Sequence, residues 1–441
     1  MKQQDLTNGS VKKLFLRYLF PSISATLVTS IYILVDTIII GKGIGEDAVA
    51  ALNIVLPLFN LFFGTGLLFG VGGSVLFSIS RGQENHEKAN QFFSITAMAA
   101  VASMILYLIL CNVYFEPLMR FLGATDQTFP YVKNYAPYIT WGVPLYIASS
   151  FLQTFVRNDK NPTLSMIAVI SGGVLNIILD ILFVFGFDWG MMGAALASTL
   201  GVLVTCLILL SHFLTKKNTI RFTLKGLQLH MLWTSVLTGF SSFLIEVCGG
   251  IVILSFNMQL LKYTGVIGIT AYSIISNTAL MVTSLGNGIS QATQPIIATN
   301  YGANKMDRVR QTMRLGLFTA FGLGTIVFAF VLLLPNVLIN IFINPTEEIM
   351  PLALQAVKLY AFAFLGMSIN AYLSNYFQAI LKPYHSLTIS LLRGLVLNLS
   401  FVYILPIFLG VTGIWITIPL VELITLIVGI SLLLRTKLEL N

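Results

Sequence analysis

The sequence predicts an all-α polytopic membrane protein, with twelve transmembrane helices in two six-helix lobes that are related by an internal repeat and enclose a central cleft. Hydrophobic residues make up 56% of the 441 residues, and charged residues only 10%. Apolar runs of about 20 residues or more, the length that crosses a bilayer, recur along the chain without an intervening soluble domain. The charge of the loops predicts the orientation in the membrane, and an internal repeat predicts the division into two lobes.

Twelve apolar runs define the predicted spans. They cover residues 13–38, 49–80, 91–115, 134–156, 163–186, 190–214, 232–262, 266–300, 312–341, 352–380, 386–409 and 411–434. Several exceed the length that a bilayer requires, so we expect these helices to tilt, kink or project beyond it.

Loop charge predicts the orientation. Of the 25 Lys and Arg residues, 20 fall on the side that holds the N-terminus and 5 on the other side. The positive-inside rule therefore predicts that both termini are cytoplasmic, in a multi-pass protein of the plasma (inner) membrane. The net charge of +8 is explained by this distribution, and we expect a lipid environment and no nucleic-acid partner.

An internal repeat divides the chain. At a shift of 220 residues Gly190 meets Gly410, and at a shift of 221 the pair Asn161–Pro162 meets Lys382–Pro383. The longest polar connection separates the copies. We therefore expect an N-lobe at residues 1–214, a cytoplasmic linker at 215–231 that lies along the lipid headgroups, and a C-lobe at 232–441. Such a repeat suits two bundles that rock and expose a site alternately to each side.

Four acids fall inside predicted spans: Asp36, Asp180, Glu246 and Glu422. A carboxylate at the centre of a spanning helix costs roughly 2.5 to 3.5 kcal/mol on insertion scales, so each acid needs a reason. A solvated helix end or a structural hydrogen bond is one reason, and an ion or substrate pathway is another.

Asp180 has Asn176 one helical turn before it, and Asp36 has Tyr32 one turn before it, so each pair shares a helix face. Carboxylate and amide oxygens hold a small hard cation, and two carboxylates close together in a low dielectric do not both ionise easily. A hydroxyl from Ser198–Thr199 in the following span would complete such a site. Cation binding, proton exchange and a structural interhelical hydrogen bond all remain open at this point.

Glu246 lies about a third of the way into the seventh span, where we expect it to face the cavity and attract cationic ligands or carry protons; a structural role is equally open. Glu422 gains a partner only if the helices bring Arg393 to it. Fourteen methionines and an aromatic fraction of 12% suit a surface that adapts to bulky apolar cations.

Missing motifs narrow the function. The sequence contains no GxxxxGK[ST] loop for ATP and no GxSxG nucleophile elbow. Its four histidines fall in loops or at span ends, which argues against a histidine–metal centre within the membrane. We therefore expect no enzyme activity and no cofactor, and we infer no obligate protein partner from the sequence.

Four features resemble the multidrug and toxic compound extrusion (MATE) family, whose members are secondary exporters in a superfamily that also contains lipid-linked oligosaccharide flippases. They are Pro21 with Asp36, Asn176 with Asp180, SISRG at 78–82, and QATQPIIATNYGA at 291–303. The resemblance covers essentially the whole chain. It implies two six-helix lobes and exchange of a cationic, amphipathic compound for sodium or protons.

The resemblance also implies site residues. The cation site of the N-lobe would be formed by Asp36, Asn176, Asp180 and Thr199, and the first three would hold Na⁺ if sodium is the coupling ion.

Substrate-binding residues would include Tyr32, Gln153 and Glu246, and Pro21 would be the bend that responds to Asp36. Some family members use an acid in the tenth span, but here that span carries Asn370 and no carboxylate. This difference favours the N-lobe as the coupling site.

The sequence thus predicts a secondary active multidrug exporter that exchanges small cationic amphipathic compounds for H⁺ or Na⁺ by alternating access. Three alternatives remain: a flippase for a lipid or lipid-linked oligosaccharide, an intramembrane transferase, and a structural scaffold. The same oxygens serve a proton or a sodium ion, so the coupling ion stays open.

Overall fold

The computed structural model describes residues 6–343 and 346–439, and within these two ranges the regular structure is entirely helical. Residues 1–5, which begin the predicted N-lobe, and residues 440–441, which end the predicted C-lobe, lie outside the described residues. The helices are α1 (Val11–Gly43), α2 (Glu46–Gly82), α3 (His86–Val113), α4 (Phe115–Phe121), α5 (Phe129–Trp141), α6 (Val143–Asn158), α7 (Pro162–Asp180), α8 (Gly190–Leu210), α9 (Leu229–Gly302), α10 (Met306–Leu333), α11 (Pro335–Phe342), α12 (Ile349–Tyr360), α13 (Ala363–Ala379), α14 (Pro383–Leu391), α15 (Leu397–Leu409) and α16 (Val411–Glu439).

Three short turns of other helical types join or extend these helices. A π-helical turn, Ile181–Gly186, follows α7, and a second, Leu392–Val396, connects α14 to α15. A 3₁₀ turn, Ser211–Leu214, ends α8. π-helical turns are rare in proteins overall but occur often at functional sites.

The number of spans agrees with the sequence. In the described part of the chain, ten helical stretches are long and apolar enough to cross a membrane, and two bent pairs raise the number to twelve if each pair forms one span. The pairs are α5 with α6, bent by 51°, and α12 with α13, bent by 45°. Within α9, Gly265 has φ 65° and ψ −153°, so the 74-residue helix divides there into two spans.

The predicted ninth span, residues 312–341, is wrong at its C-terminal end. The helix ends at Leu333, and Pro335 begins the separate short helix α11. Leu334 has φ −126° and ψ 47°. The physical reason is that the proline ring disfavours helical backbone at the residue before it.

The internal repeat is visible in the backbone. Residues with positive φ recur at separations of 220 or 221 in both halves of the chain. The pairs are Gly45 and Gly265, Glu84 and Asn304, Lys160 and Leu381, and Gly190 and Gly410. Because few residues adopt this conformation without cause, four matched pairs indicate that the two halves fold by the same plan.

The described residues pack as two compact units. One contains residues 6–9, 20–247 and 298–304, and the other contains residues 10–19, 248–297 and 305–439 apart from the gap at 344–345. In the first, α2 packs on α3 and α6, and α7 packs on α8. In the second, α10 packs on α13, and α15 packs on α16. The predicted lobe boundaries at 1–214, 215–231 and 232–441 follow chain order, and they stay a prediction.

The linker after the 3₁₀ turn consists of turns and irregular backbone, and side chains of the first unit hold it. The Thr219 amide donates to Asp159 Oδ2 at 2.8 Å, and the Arg221 amide donates to Asn90 Oδ1 at 3.0 Å. Asp159 is buried and also accepts from His212 Nε2 at 2.8 Å. These side chains satisfy backbone donors that a segment without regular structure leaves free.

Close backbone packing makes a stability prediction within α9. A Cβ at Gly239 would overlap the Leu68 carbonyl oxygen and lie 3.1 Å from the Gly72 nitrogen, whereas a Cβ at Gly249 would meet nothing within 4 Å. We expect Gly239→Ala to lower the free energy of unfolding by about 1–3 kcal/mol through overpacking. The control Gly249→Ala should be neutral, or stabilising by up to about 1 kcal/mol through helix propensity. Thermal unfolding in detergent measures both, and equal melting temperatures would contradict the packing.

Candidate functional site

Two aspartates from different spans form the centre of the candidate site in the first unit. Asp36 lies in α1, and Asp180 is the last residue of α7, immediately before the first π-helical turn. Their carboxyl groups are close enough to interact, and two ionised carboxylates in a low dielectric repel each other, so a proton or a cation between them stabilises the pair. The predicted pairing of Asp36 with Asp180 is therefore present in the structure.

The site has more acceptors than donors. Asp36 Oδ1, both oxygens of Asp180 and Asn176 Oδ1 have no well-aligned hydrogen bond among the described residues, although the Asn176 side chain lies close enough to the Asp180 carboxyl group to interact with it. Asp180 is 0% exposed and Asn176 is 3% exposed, whereas Asp36 is partly exposed. Buried acceptors without donors are costly, and a cation or a proton removes that cost.

Asn176 is oriented by α8. Its amide Nδ2 donates to Ser198 Oγ at 3.3 Å, which leaves its Oδ1 as the free acceptor. The helices approach closely here, because a Cβ at Gly201 would lie 3.0 Å from the Asn176 Cβ and 2.7 Å from the Gly172 carbonyl oxygen. The glycines of α7 and α8 thus let the amide reach its partner.

Thr199, predicted as a cation ligand, lies in α8 and already has partners. Its hydroxyl donates to the Ala195 carbonyl at 2.9 Å and lies 3.4 Å from the Tyr146 hydroxyl. A hydroxyl retains acceptor lone pairs when it donates, so Thr199 Oγ1 is still able to bind a cation.

Tyrosines complete the surroundings. Tyr32 packs against Gly173, where a Cβ would lie 3.2 Å from the Tyr32 ring. Tyr135, of α5, is 0% exposed, its hydroxyl has no partner in the described residues, and both aspartate charges act on its phenol. Sequence reasoning missed Tyr135 and Tyr146, because aromatic residues in apolar spans give no signal that separates a site residue from packing.

Three other predicted residues, Pro21, Gln153 and Glu246, form no hydrogen bond with either aspartate among the described residues. Pro21 is buried within α1, which continues through it. Gln153 lies in α6, half-buried, and its backbone carbonyl accepts from Ser165 Oγ at 3.4 Å. Glu246 is half-buried against Gly64 of α2 and has no hydrogen bond or ion pair with the residues that the structure describes. The roles of these three residues stay predictions.

Glu422, for which the sequence offered Arg393 as a conditional partner, is indeed paired with it. Arg393 Nε lies 2.6 Å from Glu422 Oε1. No group of three or more His, Cys, Asp or Glu residues suited to a metal occurs in the described ranges. A sodium ion at the aspartates would therefore depend on amide and hydroxyl oxygens as well as two carboxylates.

The fold and this site define a multi-pass membrane transporter. Residues 21–182 and 238–404 match the MatE family, and the chain belongs to that family. The multidrug export protein MepA of Staphylococcus saprophyticus subsp. saprophyticus is 25% identical over 419 residues, which cover 94% of this chain and 92% of that protein. MepA of Staphylococcus aureus (strain MSSA476) is 23% identical over the same shares of both chains.

The chain also matches a solved structure of a multidrug resistance MATE family transporter of the MOP superfamily in an outward-facing conformation. The TM-score is 0.91 at 22% identity, over 100% of this chain and 98% of that one. These comparisons confirm the family and the twelve-helix fold that the sequence predicted, and they define a transporter rather than an enzyme.

Ser198 provides a test of how the site is oriented. Ser198→Ala removes the acceptor for the Asn176 amide, a hydrogen bond worth about 0.5–1.5 kcal/mol, so we expect a cation at this site to bind roughly 2 to 10 times more weakly. The measurement is the ion concentration at half-maximal transport.

The matched control is Ser103→Ala, because that hydroxyl bonds only to the Ala99 carbonyl of its own helix. Equal half-maximal concentrations for the two variants would contradict the assigned role of Ser198.

Proposed function

We propose that this protein is a multidrug exporter that exchanges cationic amphipathic compounds for H⁺ or Na⁺. The observation that carries the proposal is the surplus of buried acceptor oxygens at Asp36, Asn176 and Asp180. Such a site is unstable when empty and ionised, so it binds a cation or a proton in at least one state of the transport cycle.

Coupling follows from competition between conformational states. An ion shifts a conformational equilibrium only by its differential affinity for the two states. Filling the site neutralises Asp36 on α1, the helix that also contains Pro21, where a missing backbone donor lets the helix bend. Ion entry thus favours a bent conformation of α1 and release of the substrate to the outside.

The substrate class rests on charge and on relatives. Glu246 offers a carboxylate that has no hydrogen bond or ion pair with the described residues, and such a group attracts organic cations. Tyr32 and Gln153 are the further substrate-binding residues that we propose, since they lie on the same helices as the cation site or next to them. The MepA relatives are multidrug export proteins, which supports small-molecule substrates.

The proposed location is a bacterial plasma (inner) membrane with both termini in the cytoplasm. The distribution of 20 against 5 of the 25 Lys and Arg residues supports this orientation. It places the linker at the cytoplasmic surface, where Lys216, Lys217, Arg221 and Lys225 meet anionic headgroups.

Efflux from proteoliposomes tests the proposal. A fluorescent lipophilic cation is loaded, and a sodium gradient and a pH gradient are imposed separately. We expect one gradient to drive efflux in the wild type. We expect Asp36→Asn and Asp180→Asn to reduce efflux to the level of empty liposomes, because each removes one of the two charges that bind the ion.

The control variant is Asp126→Asn, whose side chain is 94% exposed and pairs with Arg120 outside the spans. It should export like the wild type. Normal export by inserted Asp36→Asn protein would refute the coupling mechanism, and no cation efflux under either gradient would favour the lipid flippase.

A further inference from the structure

The second unit contains one buried acid in its described residues, Glu422 of α16, which is 3% exposed. Unlike Asp36 and Asp180, it has a donor for each carboxylate oxygen. Arg393 Nε donates to Oε1 at 2.6 Å, and Asn370 Nδ2 donates to Oε2 at 2.7 Å. The same Asn370 amide lies 2.9 Å from the Glu422 main-chain oxygen. Both oxygens of the Glu422 carboxylate therefore already have a hydrogen-bond donor.

The backbone presents Arg393 to this acid. Arg393 lies in the second π-helical turn, Leu392–Val396, and its side chain is only 12% exposed. The Asn398 side-chain amide donates to the Arg393 carbonyl and so holds the backbone of this turn. A Cβ at Gly366 of α13 would lie 3.2 Å from the Glu422 Cβ, so α13 packs closely on the acid.

The neighbouring titratable groups are tyrosines. Tyr360 of α12 lies close enough for the charges of Glu422 and Arg393 to act on its phenol, and Tyr272 of α9 acts on Tyr360 in turn. Neither phenol supplies a second negative charge at neutral pH. Arg393 is thus the cation that balances Glu422.

The internal repeat shows that the two halves differ at these positions. At a shift of 220, Asp36 corresponds to Phe256, which is buried and stacks on Tyr272 with ring centroids 5.1 Å apart. At the same shift Glu422 corresponds to Val202, and Arg393 to Gly173. Each half therefore lacks the charged group that the other half has.

A buried ion pair responds asymmetrically to change. Removal of one partner leaves an uncompensated charge in a low dielectric, whereas removal of both partners is close to neutral. Exchange of Arg393 for a mobile ion at Glu422 would therefore be energetically unfavourable during transport. Without Arg393, however, the carboxylate would have to take up a proton or a cation.

We propose that Arg393 is a fixed counter-cation that keeps Glu422 occupied, so that ion exchange is confined to the acids of the first unit. This proposal rests on the proposed function, because ion exchange at Asp36 and Asp180 is part of the proposed antiport. Arg393 and Glu422 are positioning residues: they bind no substrate or coupling ion and hold α13, α16 and the second π-helical turn together.

Carbodiimide labelling tests the occupancy of Glu422 without any transport assay. Dicyclohexylcarbodiimide reacts with a protonated carboxyl group in apolar surroundings. The proton moves to a carbodiimide nitrogen, the carboxylate oxygen bonds to the central carbon, and the O-acylisourea rearranges to an N-acylurea with no atom lost. Peptide mass spectrometry then locates the added reagent.

In purified wild-type protein we expect label on Asp36 or Asp180 and none on Glu422. In Arg393→Gln we expect Glu422 to gain label, because it must then be protonated. The control Arg120→Gln, which removes an exposed arginine paired with Glu116, should leave Glu422 unlabelled. Wild-type label on Glu422 equal to that on the aspartates would overturn the proposal.

The double variant Arg393→Gln/Glu422→Gln keeps the test decisive if Arg393→Gln fails to insert. It should fold and should transport with the wild-type number of ions per substrate, and a changed number would overturn the proposal. The two hypotheses fail separately. Normal export by Asp36→Asn with Glu422 unlabelled would refute the antiport mechanism alone.

Discussion

Charge buried in apolar helices is the constraint on which this structure depends. A carboxylate inside a spanning helix must find donors, a counter-charge or a proton, since lipid offers none. The chain meets this constraint in two ways. Glu422 is satisfied by Arg393 and Asn370, whereas Asp36 Oδ1 and both oxygens of Asp180 have no well-aligned hydrogen bond among the described residues. The first arrangement is stable as it stands, and in the proposed function the second takes up a cation or a proton.

Local backbone features make both arrangements possible. A π-helical turn follows Asp180 directly, and another contains Arg393, so each lies next to a buried charge. Close glycine packing between Gly172 and Gly201 brings α7 against α8, which lets Asn176 reach Ser198. Backbone geometry, and not only residue type, therefore positions both buried charges.

The sequence predicts the spans, the repeat and the aspartate pair, because each has a one-dimensional signal: apolar length, a constant shift, or an acid in an apolar run. It does not predict the bend between α5 and α6, or the partners of Tyr135. These depend on contacts between spans that are distant in the chain. The end of α10 could have been predicted, because Pro335 is a helix breaker that the sequence shows. The predicted span was too long because the apolar run continues past this proline.

The most direct measurement is the release of the coupling ion when substrate binds to detergent-purified protein. Tetraphenylphosphonium is titrated into weakly buffered protein, and released protons, or released radioactive sodium after preloading, are counted per bound substrate. Because coupling between two ligands is reciprocal, we predict stoichiometric release of one of these ions, which is lost in Asp180→Asn. Substrate binding that releases neither ion, in wild-type protein that still transports, would contradict the account.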